Sequence, residues 1–83
     1  MNITLDTARR LARAVDTNAN HAFTRAVFAH DHADPRCREF IASADEGDRH
    51  AAARREAVQR ILRRKGFVVD VLPVGFVTIV RAP

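Results

Sequence analysis

The spacing of hydrophobic and polar positions predicts a helical N-terminal half in this chain. Between residues 6 and 16, apolar side chains recur every three or four positions while arginines occupy the other side, a pattern typical of an amphipathic helix. Thr4 or Asp6 is the expected N-cap, since either side chain can accept a hydrogen bond from a free amide of the first turn. Residues 16–20 are poor helix formers and predict a break. A second helix is expected over residues 19–30, with one apolar face formed by Ala19, Ala22, Phe23, Ala26 and Val27.

Two further helices are predicted in the middle of the chain. Asp34 and Pro35 form a cap followed by proline at the first helical position, which predicts a short helix over residues 35–42. A longer helix is expected from Asp48, as its cap, to Lys65. Gly66 then suits the left-handed position that follows many helices.

Two strands close the chain. Residues 67–72 and 76–81 are rich in β-branched and aromatic side chains, and residues 73–75 suit a turn with a glycine bulge. Phe67, Val69 and Val71 are expected to face the helices. The second strand is apolar on both sides, so the hairpin needs cover from an N-terminal strand, from more helix or from a second copy of the chain. The prediction is one α+β domain spanning residues 1–83, with three to four helices packed on an antiparallel hairpin, possibly joined by an N-terminal strand.

The charge of the chain favours acidic partners. Fourteen basic residues against ten acidic ones give a net charge of +4, and all but one of the basic residues are arginine. Phosphate backbones, anionic membrane surfaces and acidic proteins all suit such a chain. Arginine binds phosphate and carboxylate bidentately, although codon usage in a GC-rich genome gives the same bias. The absence of a signal-peptide pattern and of a long apolar run predicts a cytoplasmic protein without a membrane partner.

The arginines of the first and last helices are the leading candidates for contact with nucleic acid or another acidic partner. Placed on helical wheels, they lie opposite the apolar faces. A second interpretation is an ordinary solvated face, because Glu56 precedes Arg60 by four residues, the favourable order for an ion pair. The candidate binding residues are Arg9, Arg10, Arg13, Arg49, Arg60, Arg63 and Arg64.

The order of the last elements resembles that of winged helix-turn-helix proteins. Residues 35–42 and 48–65 would be the two helices, and the hairpin would be the wing beside a helix in the major groove. The alternative is an α+β fold that shares only this order.

A protein–protein module is the second functional hypothesis. In size and style the chain resembles small phage and mobile-element proteins, including anti-CRISPR inhibitors, which dock on a larger complex and occlude it; a homodimeric adaptor is a related possibility. Phe28 projects roughly opposite to the apolar face of its predicted helix and is either covered by another element or exposed for a partner. Arg54 points toward the apolar side of its helix, which a core accepts only if the charge extends past its edge or finds partners. The candidate interface residues are Phe28, Arg54, Phe76 and Val77.

Metal binding and catalysis receive no assignment from the sequence. His30, His32 and Cys37, with two aspartates nearby, are residue types that bind zinc, but their spacing matches no zinc module. Histidines and aspartates of a solvated loop are the alternative. No phosphate-binding loop, dinucleotide motif or acid–base pair is visible. The chain is therefore predicted to be a non-enzymatic binding protein without a cofactor.

Overall fold

The computed structural model describes residues 3–73 and 77–83 and confirms the α+β prediction. Four α-helices precede a two-stranded antiparallel hairpin. The elements are α1 (Leu5–Asp16), α2 (His21–Phe28), α3 (Pro35–Ser43), a 3₁₀ turn (Asp48–His50), α4 (Ala51–Arg64), β1 (Val68–Val71) and β2 (Thr78–Arg81).

Local sequence signals set several helix ends as expected. The Thr4 hydroxyl accepts a hydrogen bond from the Thr7 amide at 3.1 Å and caps α1. Asp34 caps α3 in the same way, with Pro35 at the first helical position. After α4, Gly66 adopts a positive φ of 95°. These ends form because the capping group in each case lies within a few residues of the amide or carbonyl that it satisfies.

The beginning of the long helix differs from the prediction. Asp48 does not cap α4, because a 3₁₀ turn intervenes and α4 begins at Ala51. The Asp48 carboxylate instead accepts a hydrogen bond from Asn18 in the loop between α1 and α2. Asn18 and Asn20 in that loop both have positive φ, a conformation that asparagine adopts more readily than most residues.

The core forms around α4, which contacts α1, α3 and β1. Its expected apolar face is buried, with Ala57, Val58, Ile61 and Leu62 all at most 3% exposed. α1 contributes Leu11 and Val15 to the same cluster.

The side of α2 that faces the core differs from the prediction. Thr24 and Phe28 are its buried residues, whereas Ala22 and Ala26, which were expected on the inner face, are exposed. Phe28 is 1% exposed and packs edge-on against Phe40 of α3, with ring centroids 5.6 Å apart. Phe28 is therefore a core residue and not an interface residue, because its larger apolar surface outweighs the alanines in deciding which side of α2 is buried.

The hairpin pairs Val68 with Arg81 and Val71 with Thr78 at its two ends. Both strands are shorter than expected. Val69 faces the core as predicted, together with Thr78 and Val80 of β2. Val71, also predicted to face the helices, is 40% exposed at the end of the ladder nearest the turn.

The predicted N-terminal strand is absent from the described part of the sheet, and the structure does not describe the predicted turn in full. Within the described residues the sheet has two strands, and Ile3 and Thr4 do not join it. Phe76 and most of the predicted turn lie outside the described residues.

Candidate binding surface

Three of the seven candidate arginines form ion pairs with carboxylates of the same chain. They are Arg49 with Glu46 at 3.9 Å, Arg60 with Glu56 at 2.6 Å, and Arg64 with Asp34 at 2.8 Å. The ion pair expected from the spacing of Glu56 and Arg60 is thus present. A phosphate group approaching these arginines would have to compete with a carboxylate that is already in place.

The outer edge of β2 is covered by two side chains of α1. Arg9 donates from Nε to the carbonyl oxygen of Val80 at 3.1 Å. Asp16 accepts from the Thr78 amide at 2.6 Å and from the Thr78 hydroxyl at 2.8 Å. These contacts occupy backbone groups that an added strand would otherwise use.

The outer edge of β1 has a similar contact from α4. Arg63 donates from Nη2 to the carbonyl oxygen of Val69 at 3.0 Å. Arg9 and Arg63 therefore bind opposite edges of the hairpin, and these two candidate arginines do not lie side by side.

The remaining basic side chains of α1 stay exposed. Arg10 lies over the ring of Phe23, 4.5 Å from its centroid, a cation–π contact. Arg13 is exposed, and no carboxylate of the described residues lies within ion-pair distance of it. Of the seven candidates, Arg13 is the one whose guanidinium is most available to a partner.

Arg54 is a structural residue and not an interface residue. It is 1% exposed. Its guanidinium donates to the carbonyl oxygens of Ser43 and Gly47, each at 2.9 Å, and to Asn18 Oδ1 at 2.7 Å. The charge does not extend past the edge of the core as the sequence suggested, because the loop before α2, the last residue of α3 and the loop before α4 bring acceptors to it. The buried guanidinium of Arg54 thus links these loops through hydrogen bonds.

His21 lies beside this buried charge. It is the first residue of α2, half-buried, and its Nδ1 atom is buried without a hydrogen-bond partner among residues 3–73 and 77–83. Burial and then the positive charge of Arg54 lower the pKa of His21 from its ordinary value of 6.5, while Asp48 and Asp45 oppose this shift.

The lowered pKa predicts that acidification destabilises the protein. The unfolded chain binds a proton at His21 more readily than the folded chain, so stability is full above about pH 6.5 and falls as the pH drops toward the folded pKa. Urea unfolding at pH 7.5 and pH 5.5 should give a lower midpoint at pH 5.5. A His21→Gln variant should lose part of this difference, and an equal difference in both proteins would contradict the assignment to His21.

One face of the hairpin is not covered by the helices. All five large hydrophobic side chains that are exposed in the described residues belong to the hairpin or its flanks. Four of them lie on the side of the sheet opposite the core, together with the Asp70–Arg81 ion pair. We call this side the open face: Val68, Leu72, Val77 and Ile79, each 38–45% exposed, with Asp70 and Arg81.

A groove runs beside the open face, between α1 and β2. Its volume is about 400 Å³. Val77 and Ile79 contribute apolar surface to it, and Arg9, Arg13 and Arg81 contribute positive charge. We call it the α1–β2 groove. Val77 and Arg13 were among the candidates predicted from the sequence, whereas Ile79 and Arg81 were not. The signal for an uncovered face was the presence of apolar residues on both sides of β2.

The metal-ligand types that the fold brings together differ from the expected set. His30 and His32 are exposed, whereas ligand atoms of Asp31, Asp34 and Cys37 lie within 4.8 Å of one another. Lys65 contacts Asp31 at 2.9 Å, and Arg64 contacts Asp34 as described above. Each carboxylate is therefore already neutralised by a cation of α4 or its cap.

The thiol of this cluster is poorly suited to nucleophilic chemistry. Burial, followed by the negative charges of Asp34 and Asp31, raises the pKa of Cys37 to about 11. The thiol is therefore protonated near neutral pH, whereas the thiolate is the form that attacks electrophiles.

Comparison with known protein families, with curated proteins and with solved structures finds no match to this chain. Within residues 3–73 and 77–83, no helix combines the length and the hydrophobicity that a bilayer crossing requires.

Proposed function

We propose that this chain is a non-enzymatic binding protein that docks on an acidic protein through the open face and the adjoining α1–β2 groove. The observation that carries the proposal is the concentration of exposed large hydrophobic side chains on one side of the hairpin. Contiguous apolar surface with a polar rim is typical of protein-interaction sites.

The mode of docking follows from the edges of the hairpin. Arg9 and Asp16 cover backbone groups of β2, and Arg63 covers one of β1. A partner that added a strand would have to displace these side chains. Contact across the open face needs no such displacement. We therefore propose docking on the open face and not strand addition at an edge of the hairpin.

The acidic character of the partner follows from charge. The groove contains three arginines and one aspartate, Asp16, whose oxygens accept from Thr78. A second copy of the chain would bring a net charge of +4 to a surface that is already basic. Like charges across an interface oppose association, whereas carboxylates of another protein would complement it.

The open face alone is too small for a stable interface, so the partner must contact more than the hairpin. Four residues in each of two strands form a face of about 13 by 10 Å, far below the roughly 800 Å² per partner of a stable interface. A partner must therefore cover the α1–β2 groove as well. An inhibitor that docks and occludes, and an adaptor within a nucleic-acid-handling complex, are both forms of this function.

Affinity capture with matched variants tests the proposal. Wild-type protein, Ile79→Glu in the open face and Ala52→Glu on the exposed side of α4 would each be incubated with extract of the source cells. We expect a protein that wild type and Ala52→Glu retain and Ile79→Glu loses. That protein, once purified, should bind wild type at least about tenfold more tightly than Ile79→Glu, the effect of placing an unpaired charge in an apolar contact.

Two parallel measurements cover the competing partners. Sedimentation should show a monomer, and a dimer that Ile79→Glu dissociates would assign the open face to a second copy. Anisotropy of labelled duplex DNA and RNA across a salt series should show weak binding. Tight binding with a steep salt dependence that Arg13→Glu reduces would instead favour nucleic acid as the partner.

A further inference from the structure

The α1–β2 groove has the features of a site for one short segment of the partner. Its volume of about 400 Å³ lies within the range of pockets that enclose ligands, about 300–1,000 Å³. Ile79 and Val77 supply an aliphatic wall, and the opposite wall is polar, formed by Arg9, Arg13, Asp16 and Thr17 on the α1 side. The groove could therefore enclose large apolar side chains of an entering segment.

The cations of the groove differ in how far they are already engaged. The Nε atom of Arg9 donates to Val80, and Arg81 is paired with Asp70. Arg13 is exposed and has no carboxylate partner among the described residues. An anionic group entering the groove would thus meet Arg13 as the free guanidinium, with Arg9 adding positive charge nearby.

Arg13 also borders a second groove, between α1 and α2. That groove has a volume of about 230 Å³ and is lined by Arg10, Asn20 and Phe23 among others. Arg13 therefore lies on the ridge between two grooves, each of which has an apolar wall and a cation. A segment crossing α1 could place a carboxylate on Arg13 and an apolar side chain in either groove.

We propose that the α1–β2 groove binds a linear acidic–apolar peptide segment, in which a carboxylate contacts Arg13 and a neighbouring aliphatic or aromatic side chain packs against Val77 and Ile79. This inference rests on the proposed docking function and adds the chemistry of the segment. Nucleic acid is less suited to the groove, since its described wall is aliphatic and offers no stacking platform for bases.

Selection from a random dodecapeptide library displayed on phage tests the inference without knowledge of the partner. Immobilised wild-type protein is expected to enrich peptides that carry Asp or Glu within two positions of Leu, Ile, Val or Phe. A synthetic, fluorescently labelled peptide of the enriched sequence would then be titrated by anisotropy. Changing its acidic residue to the amide should weaken binding at least about fivefold.

Matched protein variants locate the site. Arg13→Glu should weaken the labelled peptide at least about tenfold, and Arg13→Gln somewhat less, since the first reverses the charge and the second only removes it. Arg38→Glu, on α3 outside the groove, is the control and should bind as wild type does. Thermal unfolding of each variant separates lost binding from lost folding, with Arg13→Gln available if Arg13→Glu does not fold.

The outcomes distinguish this inference from the proposed function. The enriched peptides could be purely apolar, bind Arg13→Gln as well as wild type, and fail to bind Ile79→Glu. That result would overturn the acidic character proposed for the segment but would agree with docking on the open face. Peptides insensitive to both variants would overturn the assignment of the groove. A third outcome is that no peptide is enriched while the capture experiment yields a partner whose binding depends on Ile79. The partner would then bind through a folded surface, and the proposal of a linear segment would be overturned.

Discussion

Replacing Arg54 with methionine is expected to remove about 3 kcal/mol from the free energy of unfolding. The change keeps an unbranched side chain of similar length but leaves the acceptors on Ser43, Gly47 and Asn18 without their donor. A fully buried acceptor left unpaired costs about 1–3 kcal/mol, and these three hydrogen bonds are partly buried. Part of this loss is offset because a buried charge no longer has to be desolvated.

The loss is large for a domain of this size. Small domains have unfolding free energies of about 5–15 kcal/mol, and 1 kcal/mol shifts their Tm by about 4–8 °C. Circular dichroism should therefore show a Tm about 15 °C lower in Arg54→Met. Arg49→Met, an exposed arginine just before α4, should change the Tm by no more than about 3 °C.

A lysine at position 54 separates charge from geometry. Arg54→Lys keeps the positive charge, but one ammonium group cannot present the planar fork that reaches three acceptors in different directions. We expect it to remain closer to Arg54→Met than to wild type. A lysine variant as stable as wild type would show that charge alone, and not the fork, joins the two loops.

Replacing Phe28 with alanine should be the most destabilising single change on α2. The side chain is 1% exposed and packs edge-on against Phe40. Removing a fully buried phenylalanine costs about 3–5 kcal/mol, through lost burial and the cavity that remains. Urea unfolding of Phe28→Ala should give a midpoint far below that of wild type, or a chain that is unfolded at 37 °C.

Phe23 offers a matched control on the same helix. It is half-buried and carries the guanidinium of Arg10 on its ring. Phe23→Ala should cost about 1–2 kcal/mol, because less surface leaves the core and the cation–π contact at such a site contributes under about 1 kcal/mol. Equal losses in the two variants would contradict the placement of Phe28 as the core residue of α2.

Features with local causes were predictable from the sequence. Thr4, Asp34 and Gly66 act within a few residues of their partners, so their type and position suffice to place helix ends. The amphipathic pattern of α4 was equally informative, because its apolar residues are large. On α2 the pattern was misleading, because the predicted apolar face contains three alanines that bury little area, whereas Phe28 on the other side of the helix is the residue that is fully buried.

The surface could not be predicted, because it depends on contacts between distant parts of the chain. Arg9 meets Val80 across 71 positions, and Arg54 meets Asn18 across 36. A helical wheel gives the angle at which an arginine leaves its helix, but it does not show which groups from other parts of the chain its guanidinium contacts. Several arginines that were assigned to a partner on charge alone therefore make contacts within the fold. Ile79 was expected on an apolar strand but was not among the candidate binding residues, and it lines the groove.

The covered edges of the hairpin have a consequence for how this sequence can vary in evolution. Arg9, Asp16 and Arg63 contact backbone atoms, so their constraint comes from the fold and holds whatever the partner is. The side chains of Arg13 and Ile79 are exposed, so the partner can decide which residues these positions carry. Among related chains, positions 9, 16 and 63 should therefore remain constant while positions 13 and 79 change together, and that contrast would mark a lineage adapting to new targets.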